Sequence, residues 1–190
     1  MEYIIRKAQP ADASQIAPCL FLAMEEIVFF LFGTQEKEKA LHILETFVQS
    51  TDNQYSFENC WVVVDESDKI IGACNVYAGD RLTYLRQKIL DYNVTYLGRQ
   101  LEIEDETQAG EYYIDCIGVL PTLQGKGIGN MLLQYLIKNY SIENQQILGL
   151  LVDFDNPKAK KLYVRLGFEV VGKKTLAGKT LEHLQYKPKK

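Results

Sequence analysis

Histidine and cysteine are scarce in this chain. Its 190 residues include two histidines, His42 and His183, and four cysteines, Cys19, Cys60, Cys74 and Cys116, each isolated in the sequence. Zinc sites and redox motifs need close Cys/His spacing, so no metal site is expected, and the cysteines read as reduced core residues. A histidine-dependent triad would have to use one of those two rings. Positive charge is also short: 21 Lys and Arg against 25 Asp and Glu leave a net charge of −4, so the chain as a whole does not attract nucleic acid phosphates. The apolar stretch 17–32 is broken by Glu25 and Glu26, so no run is expected to reach the roughly 20 apolar residues of a membrane helix. The first ten residues lack the layout of a signal peptide. Internal repeats are missing, and the only biased segment is a basic tail at 187–190. These absences point to a cytoplasmic protein with neither a nucleic acid nor a membrane partner. What is present, 47% hydrophobic and 24% charged residues with 11% aromatics, suffices for one domain over 1–190 with its own core.

Residues 4–8 predict a short strand, followed by a helix start near 10–16 with Asp12 or Ser14 as its cap. Segments 16–32 and 35–49 read as a helical pair joined at Gly33. Runs 60–64 and 70–77, separated by a polar turn, read as an antiparallel hairpin. Residues 79–110 form an excursion from the core, with helical periodicity at Leu82, Leu85, Ile89 and Leu90 and an acidic end at Glu102, Glu104, Asp105 and Glu106. Then come a strand at 112–120, a glycine-rich turn, a helix from Met131, a strand at 147–152, and a helix from Pro157 to Leu166 with Asn156 as cap and Gly167 as stop. Strands at 168–172 and 180–186 close the chain. The pattern is an α/β fold of the α+β type, built on a mixed sheet.

Three glycines, Gly125, Gly127 and Gly129, sit between a strand and a helix, where backbone amides and the positive end of the helix dipole suit a phosphate. A mononucleotide P-loop is excluded because Lys126 is followed by Gly127 rather than Ser or Thr. The dinucleotide fingerprint needs a small residue where Asn130 stands.

The run Gln124-x-x-Gly127-x-Gly129 after Val119-Leu120-Pro121 resembles the acetyl-CoA motif of the GCN5-related N-acetyltransferase (GNAT) family. Residues 156–168, an Asn opening a helix that carries Tyr163 and ends in Gly167-Phe168, are similar to that family's next signature. The resemblance covers nearly the whole chain outside 79–110. It implies a central mixed, mostly antiparallel sheet flanked by helices, whose fourth and fifth strands splay around acyl-CoA. It further implies a pantetheine arm along Ile117 and Val119, with the pyrophosphate on Gln124, Gly125, Lys126, Gly127, Ile128, Gly129 and Asn130, and with Asn156 and Tyr163 beside it. Within the resemblance Tyr163 is the acid that meets the coenzyme thiolate; its other reading is a ring packed on the sheet.

An amine acceptor must lose a proton before it attacks. Alternation puts Glu111, Tyr113, Asp115 and Ile117 on one face and Cys116 on the other. Asp115 occupies the position where the polyamine branch of the family carries its catalytic Glu, so it is the candidate base, or else an orienting carboxylate. Lys126 and Lys160 either pair with coenzyme phosphates or are solvated. The acids at 102–106, with Glu111, either steer a cationic acceptor, which makes the excursion 79–110 part of the acceptor wall, or are solvated. The resulting expectation is direct acetyl transfer to a small-molecule or peptide amine, with no metal and with a homodimer as the family's frequent assembly. The alternatives are a non-catalytic acyl-CoA sensor and a nucleotide-binding protein.

Overall fold

The computed structural model describes residues 3–188, so the expected basic tail lies partly outside the described residues. Along the chain run β1 (Ile4–Lys7), α1 (Ala13–Phe32), α2 (Lys37–Gln49), β2 (Cys60–Val64), β3 (Ile70–Ala78), α3 (Leu82–Leu97), β4 (Tyr112–Val119), α4 (Ile128–Leu136), β5 (Leu148–Val152), α5 (Pro157–Leu166), β6 (Glu169–Leu176) and β7 (Lys179–Tyr186). The strands form one sheet in the order β1-β2-β3-β4-β5-β7-β6, antiparallel except for the β4–β5 pair. Helices α1 and α2 bury Ile16, Leu20, Phe32 and Leu44 against Val62 and Ala73 on one face. On the other, α4 packs Leu132, Leu133 and Leu136 on Ile71, Ile114 and Leu148. Each buried Leu or Ile of these layers contributes about 1.5–3 kcal/mol relative to exposure.

Local signals account for the helix ends. Gly33 takes a left-handed φ of +60° and its amide bonds the Phe29 carbonyl, which closes α1. The expected N-terminal cap is different: Asp12 accepts from the preceding Gln9 amide at 2.8 Å and grips Arg6 through two bonds of 2.7 and 3.0 Å. The bidentate guanidinium outcompetes a helix amide for the carboxylate. Helix α1 also breaks at Met24, where φ is −145° and ψ 37°. The helical stretch Pro10–Phe32 is, by length and composition, apolar enough to cross a membrane, which corrects the expectation drawn from Glu25 and Glu26. In the fold its apolar side, including Phe21 and Val28, is buried in the core.

The excursion is more closely bound to the core than its polarity suggests. From α3, Leu82 and Leu85 pack on Tyr77 and Tyr113, and Ile89 enters the α1 core. Asn93 donates to the Leu31 carbonyl at 2.9 Å, and Arg99 donates to that of Phe30 at 2.5 Å. Its acids divide: Asp105 is exposed, while Glu106 and the following Glu111 are buried.

Glu111 sits over Gly149 of β5, accepts from Thr107 Oγ1 (2.8 Å) and Gln185 Nε2 (2.7 Å), and lies 2.9 Å from His183 Nε2. Burial works to raise its pKa, but the hydrogen bonds from His183, Gln185 and Thr107 outweigh it and hold the carboxyl below its ordinary value. A carboxylate depressed in the folded state stabilises above its unfolded pKa and loses that contribution as pH falls through the folded value. Glu111→Gln should therefore cost about 1–3 kcal/mol at pH 7. In urea titrations run at several pH values, the gap to the parent should narrow below about pH 4. A gap independent of pH would mean that the charge of Glu111 contributes nothing.

Candidate functional site

The β4–β5 pairing ends early. Register holds for Tyr112, Tyr113 and Ile114 only, so from Asp115 to Val119 the β5-facing edge of β4 has no strand partner. The two strands splay there, as expected. On its other edge β4 carries a bulge, because its partner register jumps from Cys116 opposite Asn75 to Ile114 opposite Val76 and leaves Asp115 unpaired. A bulge adds one residue to the alternation and re-aims the side chains beyond it. This corrects the sequence reading of the strand. Cys116 joins Asp115 on the α1 side, in the core with Cys60 and Tyr55. Ile117 and Val119 turn to the α4 side with Ile114.

Beyond Val119 the chain enters the glycine turn. Gly125 and Gly127 adopt φ of +76° and +84°, and a Cβ at either would point into open space. Gly127 caps α4, so the first-turn amides of Ile128, Gly129 and Asn130 are free of helical partners. Gln124 donates to the Val119 carbonyl at 3.2 Å and ties the turn to the strand end. A groove of about 410 Å³ lies over the turn, lined by Val119, Gln124, Gly125, Gly127, Ile128, Gly129 and Asn130 and, from α5, by Lys158, Lys161 and Arg165. Exposed Lys126 does not line it. Lys160 does not either; its Nζ is held 2.7 Å from Glu182. Three other cations, all on α5, line the groove instead of Lys126 and Lys160. Helical spacing from the cap at Asn156, whose Oδ1 accepts from the Ala159 amide at 3.2 Å, sets which lysines face the turn. Amides, three cations and an open backbone fit a pyrophosphate and its neighbouring phosphate.

A second cavity, about 580 Å³, opens where β4 and β5 part. The break in α1 brings Leu22 to Ile27 to its wall; Asp115, Cys116 and Ile117 come from β4, Asn156, Ala159 and Tyr163 from α5, and Glu106 from the excursion. Five carboxylates line it, those of Glu25, Glu26, Glu106, Asp115 and Asp153. Lys179 also lines it and is bound at 2.9 Å to both Glu26 and Asp153. Expected site residues Asp115, Ile117, Asn156 and Tyr163 therefore meet in one cavity, and the glycine-turn residues meet in the other. Val119 lines the first and Ile117, two residues earlier on β4, lines the second.

Tyr163 rests on Phe168, ring centroids 6.0 Å apart, with its pKa pushed up to about 12 by burial and by nearby Cys116. Asp115 Oδ2 accepts from Gln54 Nε2 at 2.8 Å and from the Tyr77 hydroxyl at 3.0 Å. The same two donors reach Glu106 Oε1, at 2.6 and 3.3 Å, and Arg86 adds a bond of 3.1 Å. Burial raises the pKa of Asp115; hydrogen bonds from Gln54 and Tyr77, with Arg86, oppose the rise. Glu106 is pushed up to about 7 by burial and by the facing charge of Asp115, against Arg86 and Gln54. The Cys116 thiol is driven far up by burial and by Asp115. No motif in the sequence marks Gln54, Tyr77 or Arg86, and Glu106 stands there only as one of a run of acids.

A family model, the acetyltransferase (GNAT) family, matches residues 23–168. A solved acetyltransferase is 28% identical over 98% of this chain and 100% of its own, with a TM-score of 0.78. An N-acetyltransferase from Staphylococcus aureus Mu50 is 23% identical over 96% of this chain and 100% of its own, also at 0.78. Arabidopsis thaliana NAA60, solved with a bisubstrate analogue, shares the fold at 19% identity and a TM-score of 0.55, with 98% of each chain covered. Comparison with curated protein sequences gives no significant match.

Proposed function

Because the chain belongs to the acetyltransferase (GNAT) family, we propose that it is an acetyl-CoA-dependent N-acetyltransferase that transfers acetyl directly to a primary amine of a small-molecule or peptide acceptor. The observation that carries this reading is that both cavities lie along the parted edge of β4, one lined by Val119 and the other by Ile117. An anion-binding turn lies at one end, and Asp115 and Tyr163 line the cavity at the other.

Acetyl-CoA supplies an acetyl group activated as a thioester. Gly125 and Gly127 leave the backbone open to its phosphates, and Lys158, Lys161 and Arg165 neutralise them. Asp115 takes the proton that an ammonium acceptor must lose. Tyr163 donates a hydrogen bond to the sulfur as negative charge develops there. With its own pKa near 12 against about 8.5 for a thiol, it acts as a hydrogen-bond donor rather than as a full proton donor. The raised pKa of Cys116 keeps that thiol protonated and a poor nucleophile, which supports direct transfer over an acyl-enzyme. Five carboxylates in the acceptor cavity favour a cationic acceptor and disfavour anions. They revise the steering idea: Glu106 takes part, together with Glu25, Glu26 and Asp153, whereas Glu102 and Glu104 do not line the cavity.

The test is thiol release from acetyl-CoA with polyamines, aminoglycosides, amino acids, aromatic amines and a lysine peptide, beside a calorimetric coenzyme titration of the parent and Gly127→Val. A valine at φ +84° costs about 1–2 kcal/mol and projects into the groove, so coenzyme affinity should fall about tenfold or more with the fold retained. Equal affinity rejects the phosphate cradle. Tight coenzyme binding without turnover of any amine favours the acyl-CoA sensor.

A further inference from the structure

Asp115 does not stand alone. Its neighbour Glu106 reaches the acceptor cavity from the excursion, nine residues earlier in sequence and outside every motif. One nitrogen, Gln54 Nε2, lies 2.6 Å from Glu106 Oε1 and 2.8 Å from Asp115 Oδ2, and one hydroxyl, that of Tyr77, lies 3.3 and 3.0 Å from the same two oxygens. Gln54, Tyr77, Arg86 and Glu106 are each at most 5% exposed. The two carboxylates are thus held against shared donors, Glu106 buried and Asp115 half-buried, with one edge of the pair on the cavity. We propose that Glu106 and Asp115 act as a single base, a carboxylate pair that takes one proton from the acceptor ammonium and shares it. The proposal rests on the acetyl-transfer reading above.

The chemistry comes from like charges in a dry site. Two adjacent carboxylates resist double ionisation, so the first proton they take up binds more tightly than it would to either alone. Glu106 is pushed up to about 7, whereas a lone carboxylate titrates near about 4. The doubly ionised pair accepts a proton from R–NH₃⁺ and becomes a monoanion; the amine keeps the electron pair that forms the N–C bond as the C–S bond breaks. Of the two protons leaving nitrogen, one passes to the pair and then to water, and the other ends on the departing sulfur. Arg86, 3.1 Å from Glu106, keeps the doubly ionised state accessible near neutral pH. Gln54 and Tyr77 are positioning residues in this scheme.

The experiment is a pH profile of kcat/KM for the parent, Glu106→Gln, Asp115→Asn and the double variant, with an amine that the panel assay shows to be a substrate. In the parent, activity should rise through an acid limb near pH 7. Glu106→Gln removes the facing charge, so the limb should move down by about one pH unit or more while the plateau falls. Asp115→Asn should also move it, and the double variant should lose no more activity than the worse single one. A limb that stays in place in Glu106→Gln, with a lower plateau alone, assigns Glu106 a structural role and overturns the proposal. Should a variant not fold, the infrared carboxyl band of the unsubstituted protein serves instead. A protonated carboxyl vanishing between pH 6 and 8 is expected, and titration of every carboxyl below pH 5 overturns the pair. Absence of turnover with every amine overturns the acetyl-transfer reading itself, and with it any role for the pair as its base.

Discussion

Tyr163→Phe should lower kcat by about 10²–10³-fold while changing the affinity for acetyl-CoA by no more than about threefold. The substitution removes one oxygen and leaves the ring on Phe168, 6.0 Å away between centroids, so the cavity wall keeps its shape. The hydroxyl belongs to α5, which faces the parted strands because Asn156 caps it and Gly167, at φ +103°, ends it. Burial pushes this phenol up to about 12, so it stays neutral over the whole working range and adds no alkaline limb below about pH 11. A donor of this kind is worth most when charge develops opposite it in a dry site, which places the effect on kcat rather than on KM. Steady-state thiol release and a coenzyme titration separate the two. An unchanged kcat at every pH would leave Tyr163 the packing role that any helix tyrosine fills.

Gly118→Ala should destabilise the protein by more than about 3 kcal/mol, a large part of the roughly 5–15 kcal/mol that holds a domain folded. A Cβ on Gly118 would overlap the carbonyl of Cys19, and backbone on both sides leaves no flexible side chain to give way. Helix α1 would have to lift from β4 and open Ile16, Leu20 and Phe21 to water. The helix that lifts is the one whose break at Met24 lines the acceptor cavity, so acceptor KM should rise even where the variant remains folded. Gly125→Ala is the control: its Cβ meets nothing within 4 Å, and only the φ of +76° opposes it, at about 1–2 kcal/mol. Urea unfolding followed by two probes gives both values. A cost below about 1 kcal/mol for Gly118→Ala would mean that α1 is not seated on β4 as described.

Much of the architecture is legible in the sequence because it rests on short-range demands. The glycines at 125 and 127, the cap at Asn156 and the stop at Gly167 each answer a backbone requirement within a few residues of themselves. Hydrophobic spacing marks the helical pair and the β2–β3 hairpin for the same reason. The departures fall where neighbours in space override neighbours in sequence. Strict alternation misplaces Cys116 and Ile117 because one unpaired residue, Asp115, shifts the strand's phase, and a bulge leaves no composition signal. Lys160 has the sequence context of a phosphate ligand, but Glu182 across the sheet holds it. Asp12 has that of a helix cap, but Arg6 of β1 claims its carboxylate.

From residue order came the run of strands and helices and the glycine turn between a strand and a helix, each of which depends on side-chain type and spacing along one segment. The resemblance carried by residues 124–129 and 156–168 is what made Asp115 and Tyr163 candidates. The composition of the acceptor cavity came from packing. Gln54 meets Asp115 across 61 residues and Glu106 across 52, and Tyr77 and Arg86 close the cluster from two further elements. Neither the facing of Glu106 and Asp115 across shared donors nor the burial that raises their pKa values is a property of any one residue, because both arise when separate segments exclude water together.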